Sequence, residues 1–163
     1  MEQWDVRSRE GIPTGRLHTR GTPLGPEQYQ LVVYVWILAP DGRILITQRN
    51  AGRKNPLKWE YTGGSVLAGE TSLEGALREV LEETGIRLDP GNGQKVHQYV
   101  AGQSLIDVWL FHHDVDLSIT RAQPDEVADI RLVDRDTLLA MYERGEMLAG
   151  LAYFAEWAWQ GCV

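Results

Sequence analysis

From 31 to 39 the chain reads LVVYVWILA, apolar at every position and rich in β-branched residues, the pattern of a central strand buried on both faces. Pro40, Asp41 and Gly42 turn the chain, and RILITQR at 43–49 returns as the hairpin partner. Ahead of this pair, residues 4–21 alternate loosely around a Gly-Ile-Pro break, predicting a short hairpin, with a loop over 21–28. Two further strands are expected at 95–101 (KVHQYVA) and 105–115 (LIDVWLFHHDV), after a turn at 89–93, and a short one at 128–133. Residues 50–64, NAGRKNPLKWEYTGG, read as a polar, basic loop, and 121–129 as an acidic one.

Elsewhere the period lengthens to that of a helix. Leu73, Ala76, Leu77, Val80 and Leu81 recur at i, i+3, i+4, i+7 and i+8, an apolar stripe that would dock on a sheet. Thr71 followed by Glu74 makes a capping box at its start, and Gly85 suits the left-handed residue that ends it. A second helix is expected over 134–146, and an amphipathic one over 151–160, where Trp157 and Trp159 would pack or meet a second copy. Strands and helices mix without regular βαβ alternation, which predicts an α/β sheet with helices on both sides. The whole of 1–163 is read as one domain, with 1–28 as an N-terminal extension.

The first helix carries REVLEE, which places Glu79, Glu82 and Glu83 at spacings of three and four beside Arg78. They are expected to share the face away from the apolar stripe. Like charges so placed cost a helix roughly 0.2–0.5 kcal/mol per pair, so a solvated face could carry them with no function. Taken alone, the hexapeptide favours that plain reading.

The wider spacing changes this. Gly64, five residues, Glu70, seven residues, then Arg78-Glu79-Val80-Leu81-Glu82-Glu83-Thr84-Gly85-Ile86 resembles the box of the Nudix hydrolase family at every defined position. The resemblance implies a Nudix-type α/β/α sandwich with a mixed β-sheet between helices. It implies Glu79, Glu82 and Glu83 as ligands of Mg²⁺ or Mn²⁺, with the Gly64 carbonyl as a further ligand or else a hinge. Such a site is chemically reasonable, because hard divalent cations take oxygen ligands, and the ion offsets the repulsion of the carboxylates. Arg78 would orient a neighbouring carboxylate or form a plain ion pair, while Glu70 and Gly85 would support the box.

The activity so implied is hydrolysis of a diphosphate linkage in a nucleoside diphosphate derivative, a small-molecule substrate. Arg49, Arg53, Lys54 and Lys58, just before the box, are candidates to meet its phosphates, against the plain reading of surface charges. Proton removal from the attacking water would fall to Glu82 or Glu83, or to Glu126, whose place six residues before Leu132 resembles that of a further glutamate in several family members, against the plain reading of a loop acid beside Asp125. Trp36, Trp109, Trp59 and Tyr61 are read as core more readily than as base-stacking residues. His18, His97, His112 and His113 show no metal-ligand spacing, and the last two, on a strand, would face opposite ways.

The opening residues also resemble those of isopentenyl-diphosphate isomerases, which share the fold. Those enzymes use a cysteine before the box, whereas PLKWEYTGGS has none and the single cysteine is Cys162. An isomerase is thereby disfavoured, and a non-catalytic nucleotide-sensing module is disfavoured by the intact box. The formal net charge of −7 argues against nucleic-acid or anionic-membrane binding. One cysteine suits a reducing compartment, and no stretch is apolar enough for a signal or a bilayer span, so a cytoplasmic protein is expected. Homodimers are common in the family, and the sequence leaves that state open.

Overall fold

The structure, a computed structural model, describes residues 2–148 of the 163-residue chain. Among these the order is β1 (Gln3–Arg7), β2 (Pro13–Thr19), β3 (Gln30–Leu38), β4 (Ile44–Arg49), β5 (Trp59–Glu60), β6 (Thr62–Ser65), α1 (Ser72–Thr84), β7 (Gly93–Ala101), β8 (Ser104–His112), β9 (Val127–Val133) and α2 (Arg135–Glu143). The hairpin, the two central strands, the glutamate helix and the later strands fall where the patterns place them. The expected helix at 151–160, with Trp157 and Trp159, lies outside the described residues.

The sheet is mixed. β3 runs parallel to β8 along its whole length, from Gln30↔Ser104 to Leu38↔His112. On its other edge β3 is shared: β6 pairs with Val32–Val35, while β4 meets it only at Leu38↔Ile44. β4 pairs in turn with β9 and β5, and β7 lies outside β8, all antiparallel. β1 and β2 form a separate antiparallel pair.

Strand alternation sorts the core into two layers. Leu31, Val33, Val35 and Ile37 of β3 pack with Ala76 and Val80 of α1. Trp36, with Ile44, Ile46, Ile106 and Val108, packs with Leu138 and Met141 of α2. The helices therefore cover opposite faces, the expected α/β/α arrangement.

Three local expectations change. The stretch 50–64 is not wholly loop, because Trp59, Tyr61 and Thr62 are buried and draw β5 onto β4 and β6 onto β3. β8 ends at His112, so the histidine pair does not lie within a strand, although the His113 N–H still donates to Leu38 O at 3.1 Å. α2 ends at Glu143, since Gly145 turns the chain with a φ of 67°. No helix among the described residues is long and apolar enough to cross a membrane.

Candidate active site

The box folds as a strand, a loop and a helix held together by short contacts. Thr71 caps α1: its hydroxyl accepts from the Glu74 N–H at 3.2 Å, and Glu74 accepts from the Thr71 N–H at 2.8 Å. Gly85 closes the helix in the left-handed region, φ 74°, where a side chain would be strained. At the strand, a Cβ on Gly63 would stand 2.1 Å from Val33 O, and one on Gly64 would stand 2.4–2.6 Å from the Glu79 carboxylate. Both glycines are there for close approach, the first to backbone and the second to an acid.

Arg78 is the hub. It donates from Nε and Nη2 to the two oxygens of Glu70 at 2.7 and 3.0 Å, and from Nη2 to Ser65 O at 2.9 Å. Its Nη1 donates to Glu79 at 2.9 Å and to Glu82 at 3.1 Å. Glu70 also accepts from the Leu67 N–H at 2.9 Å, so it ties the loop to the helix. Partial burial alone would raise the Glu70 pKa; the bonds from Arg78 and Leu67 outweigh it and hold the carboxyl below its usual range.

The three glutamates do not share a solvent face. Glu82 is half exposed, at 50% for its side chain, but Glu79 is largely covered and Glu83 is 6% exposed. The helix geometry explains this: Glu83 follows Ala76 by seven residues, which leaves it roughly 20° from the direction of that fully buried residue. Glu83 accepts one long bond, from the Gly63 N–H at 3.4 Å. Burial, reinforced by the charges of Glu79, Glu60 and Glu126, pushes its pKa well above the usual carboxylate range. Burial likewise raises Glu79 despite Arg78.

Among the described residues no three acidic or imidazole groups converge into a ready coordination sphere. The reason is visible in the ion pairs: Arg78 holds Glu79 and Glu82, Arg49 holds Glu60 at 2.6 Å, and Arg53 holds Glu126 at 3.0 Å. A divalent cation nonetheless fits the chemistry of this donor set. Its oxygens are hard and anionic, and the buried Glu83 charge is poorly compensated by the protein itself.

Apart from Glu83, which does not line it, these groups border a cleft of about 380 Å³, within the roughly 300–1,000 Å³ typical of small-molecule sites. Gly63, Gly64, Arg78, Glu79 and Glu82 line it together with Arg49, Arg53, Glu60 and Glu126. Glu126 arrives there because its loop docks on the end of α1, with the Arg121 and Gln123 N–H groups donating to the carbonyls of Thr84 and Glu83. Asn50 then ties the two facing loops, donating from N to Glu126 O at 2.8 Å and from Nδ2 to Pro124 O at 2.6 Å.

Two of the four candidate phosphate contacts are not brought to the cleft. Lys58 donates from Nζ to Gly145 O beyond the end of α2, and Lys54 is exposed and does not line the cleft. Glu60 was not expected at the site. Trp59 and Tyr61 are buried in the α2 layer, and the alternation Trp-Glu-Tyr, read as a strand, would have turned Glu60 the other way. Trp36 and Trp59 are core residues, as read, and so is Tyr61, whose hydroxyl meets that of Tyr142 at 3.0 Å. Trp109 is partly buried against the α1 layer and donates from Nε1 to Ser72 Oγ at 2.9 Å.

Comparison with known proteins agrees with this geometry. The NUDIX domain pattern matches residues 28–157. An uncharacterised Nudix hydrolase of Listeria monocytogenes is 37% identical over 150 residues, covering 91% of this chain and 89% of the relative. The crystal structure of DR0079 from Deinococcus radiodurans superposes with a TM-score of 0.75 at 22% identity, over 95% of this chain and 96% of that one. A bifunctional NMN adenylyltransferase/ADP ribose pyrophosphatase from Francisella tularensis, complexed with AMP and a Mn ion, gives 0.66 at 21% identity, over 87% and 44% of the two chains. A match to a hydrolase over about nine tenths of each chain, a family pattern over most of the chain and an intact box lead to one assignment: the chain belongs to the Nudix family and is one of its pyrophosphohydrolases.

Proposed function

We propose that the cleft takes a nucleoside diphosphate joined to a further group and directs water onto the diphosphate linkage. Glu79, Glu82 and Glu83, with the Gly64 carbonyl, are the residues that would hold Mg²⁺ or Mn²⁺. A bound ion of this kind would neutralise phosphate charge and acidify the attacking water.

The chain's own groups do the rest. Arg49 and Arg53, which line the same cleft as Glu79 and Glu82, would meet the phosphate oxygens once they turn from Glu60 and Glu126. Glu126, released by Arg53, would accept the proton from water, with Glu82 as the second candidate. Arg78 keeps Glu79 and Glu82 oriented from behind. The observation that carries this reading is that the Arg53–Glu126 pair and the Arg78–Glu79–Glu82 cluster line one cleft. The ADP ribose pyrophosphatase of similar fold makes ADP-ribose a sensible first substrate.

The test is product release from a panel of nucleoside diphosphate compounds with Mg²⁺ and with EDTA, for the wild type and Glu82→Gln. Metal-dependent cleavage that is lost in a folded Glu82→Gln protein supports the assignment. Undiminished turnover by that variant removes the cluster from the chemistry.

A further inference from the structure

The cleft is not built by the NUDIX-matched residues alone. Glu2, Trp4 and Arg20 line it beside Gly64 and Glu79, and all three precede the matched range of 28–157. The β1–β2 hairpin that carries them is fixed to the box: the Ala68 N–H donates to Gln3 O and the Gly69 N–H to Asp5 Oδ2, both at 2.9 Å. It is also bonded to the start of β3 through reciprocal Arg7–Tyr29 backbone bonds at 2.8 and 3.0 Å. The hairpin is thus a fixed wall of the cavity.

Its side chains differ in what they can offer. Trp4 is 6% exposed and its ring lies 5.1 Å from that of His18, so it presents no open face for a base to stack on. Arg20 and Glu2 are reachable, with side chains 50% and 49% exposed, and they pair at 2.6 Å. A guanidinium donor beside a carboxylate acceptor is the complement of neighbouring hydroxyls, each of which both donates and accepts. The pair is also neutral as a unit, which suits an uncharged group better than another phosphate.

We infer that the hairpin is a specificity element, and that Glu2 and Arg20 bind the hydroxyls of a sugar attached beyond the diphosphate. This rests on the hydrolase reading for its place in the reaction, but its recognition chemistry is separable from it. The side chains are dispensable for the hairpin, because the Arg20 N–H donates to Glu2 O at 3.1 Å whatever stands at either Cβ, and an exposed ion pair adds little stability.

The experiment compares ADP-ribose and UDP-glucose, which carry such a sugar, with ATP, which does not. Wild type, Arg20→Ala and Glu2→Gln are each assayed for kcat/KM and for the melting-temperature rise caused by the same compounds. Loss of a charged hydrogen bond predicts a fall of about tenfold or more for Arg20→Ala on the sugar nucleotides, mainly through KM, with ATP changed less than about twofold. Glu2→Gln should show the same selectivity with a smaller fall. Equal losses on all three compounds, or none, overturn the inference while leaving the hydrolase assignment standing. If no compound is cleaved, a sugar-nucleotide melting shift that Arg20→Ala abolishes supports the inference and counts against the hydrolase reading; no such shift in the wild type overturns the inference.

Discussion

Arg78 grips both oxygens of Glu70 across eight residues of chain, and the same guanidinium reaches Glu79 and Glu82 with its remaining donors. Glu70 itself does not line the cleft. Glu70→Gln should therefore cost about 1–2 kcal/mol of stability, through the weakened fork and the Leu67 contact. Its Mg²⁺ requirement should be little changed. Urea unfolding and a metal titration of activity check both halves, and a shifted metal midpoint with unchanged stability would place Glu70 among the ligands instead.

Gly63 and Gly64 are neighbours with opposite sensitivities. A methyl at Gly63 meets the Val33 carbonyl, which cannot move without parting β6 from β3, whereas the nearest atoms to one at Gly64 belong to the flexible end of Glu79. Gly63→Ala is expected to lose about 3 kcal/mol or to misfold. Gly64→Ala should fold but bind Mg²⁺ more weakly, because the Glu79 carboxylate must leave its place. Melting curves separate the two, and equal destabilisation would mean that Glu79 is not free to give way.

Much of this was legible beforehand, for reasons specific to the residues. The capping box at Thr71 and Glu74 and the uniform apolar run at 31–39 each overdetermine an element, so α1 and β3 lie where expected. Arg78 and Glu126, which both line the cleft, could be named as candidates because each stands at a defined spacing. Glu83 was misplaced because its charge suggested solvent, while its helical position belongs to the stripe of Ala76 and Val80. Glu60, Glu2 and Arg20 were missed because nothing local marks them: β5 is two residues long, and the hairpin reaches the cleft only through contacts with Ala68 and Gly69.

Arg53 and Lys54 are adjacent in sequence but only Arg53 faces the cleft. Arg53→Ala should raise KM by about tenfold, the order expected for one charge-assisted phosphate contact. Lys54→Ala should leave the kinetics unchanged. Steady-state measurements at fixed Mg²⁺ decide it, and similar effects at the two positions would indicate a general electrostatic field.

Burial pushes the Tyr142 hydroxyl up to about 12 from 10, with the bond to Tyr61 pulling the other way. The folded protein thus holds this proton more tightly than the unfolded chain. The corresponding stability is fully present below pH 10 and is lost as the pH rises through 12. Tyr142→Phe lacks the group, so the stability difference between wild type and variant should be constant at neutral pH and shrink above 10. Urea midpoints of both proteins from pH 7 to 12 test this, and a difference that does not vary with pH counts against it.

The buried Glu83 carboxylate makes the sharpest separation between fold and function. Without metal its charged form is poorly compensated and burial raises its pKa, a cost the unfolded chain does not carry, so Glu83→Gln, which keeps the shape and can still accept from Gly63, should stabilise the protein in EDTA by about 1–2 kcal/mol. With Mg²⁺ the order should reverse, because an ion that binds only the folded wild type adds stability in proportion to its occupancy. The variant should lose turnover and most of the metal-induced rise in melting temperature together. Differential scanning with and without Mg²⁺ reads this directly: an equal rise in both proteins would mean that the ion is held elsewhere, and that the cluster on α1 is a structural feature of the cleft wall.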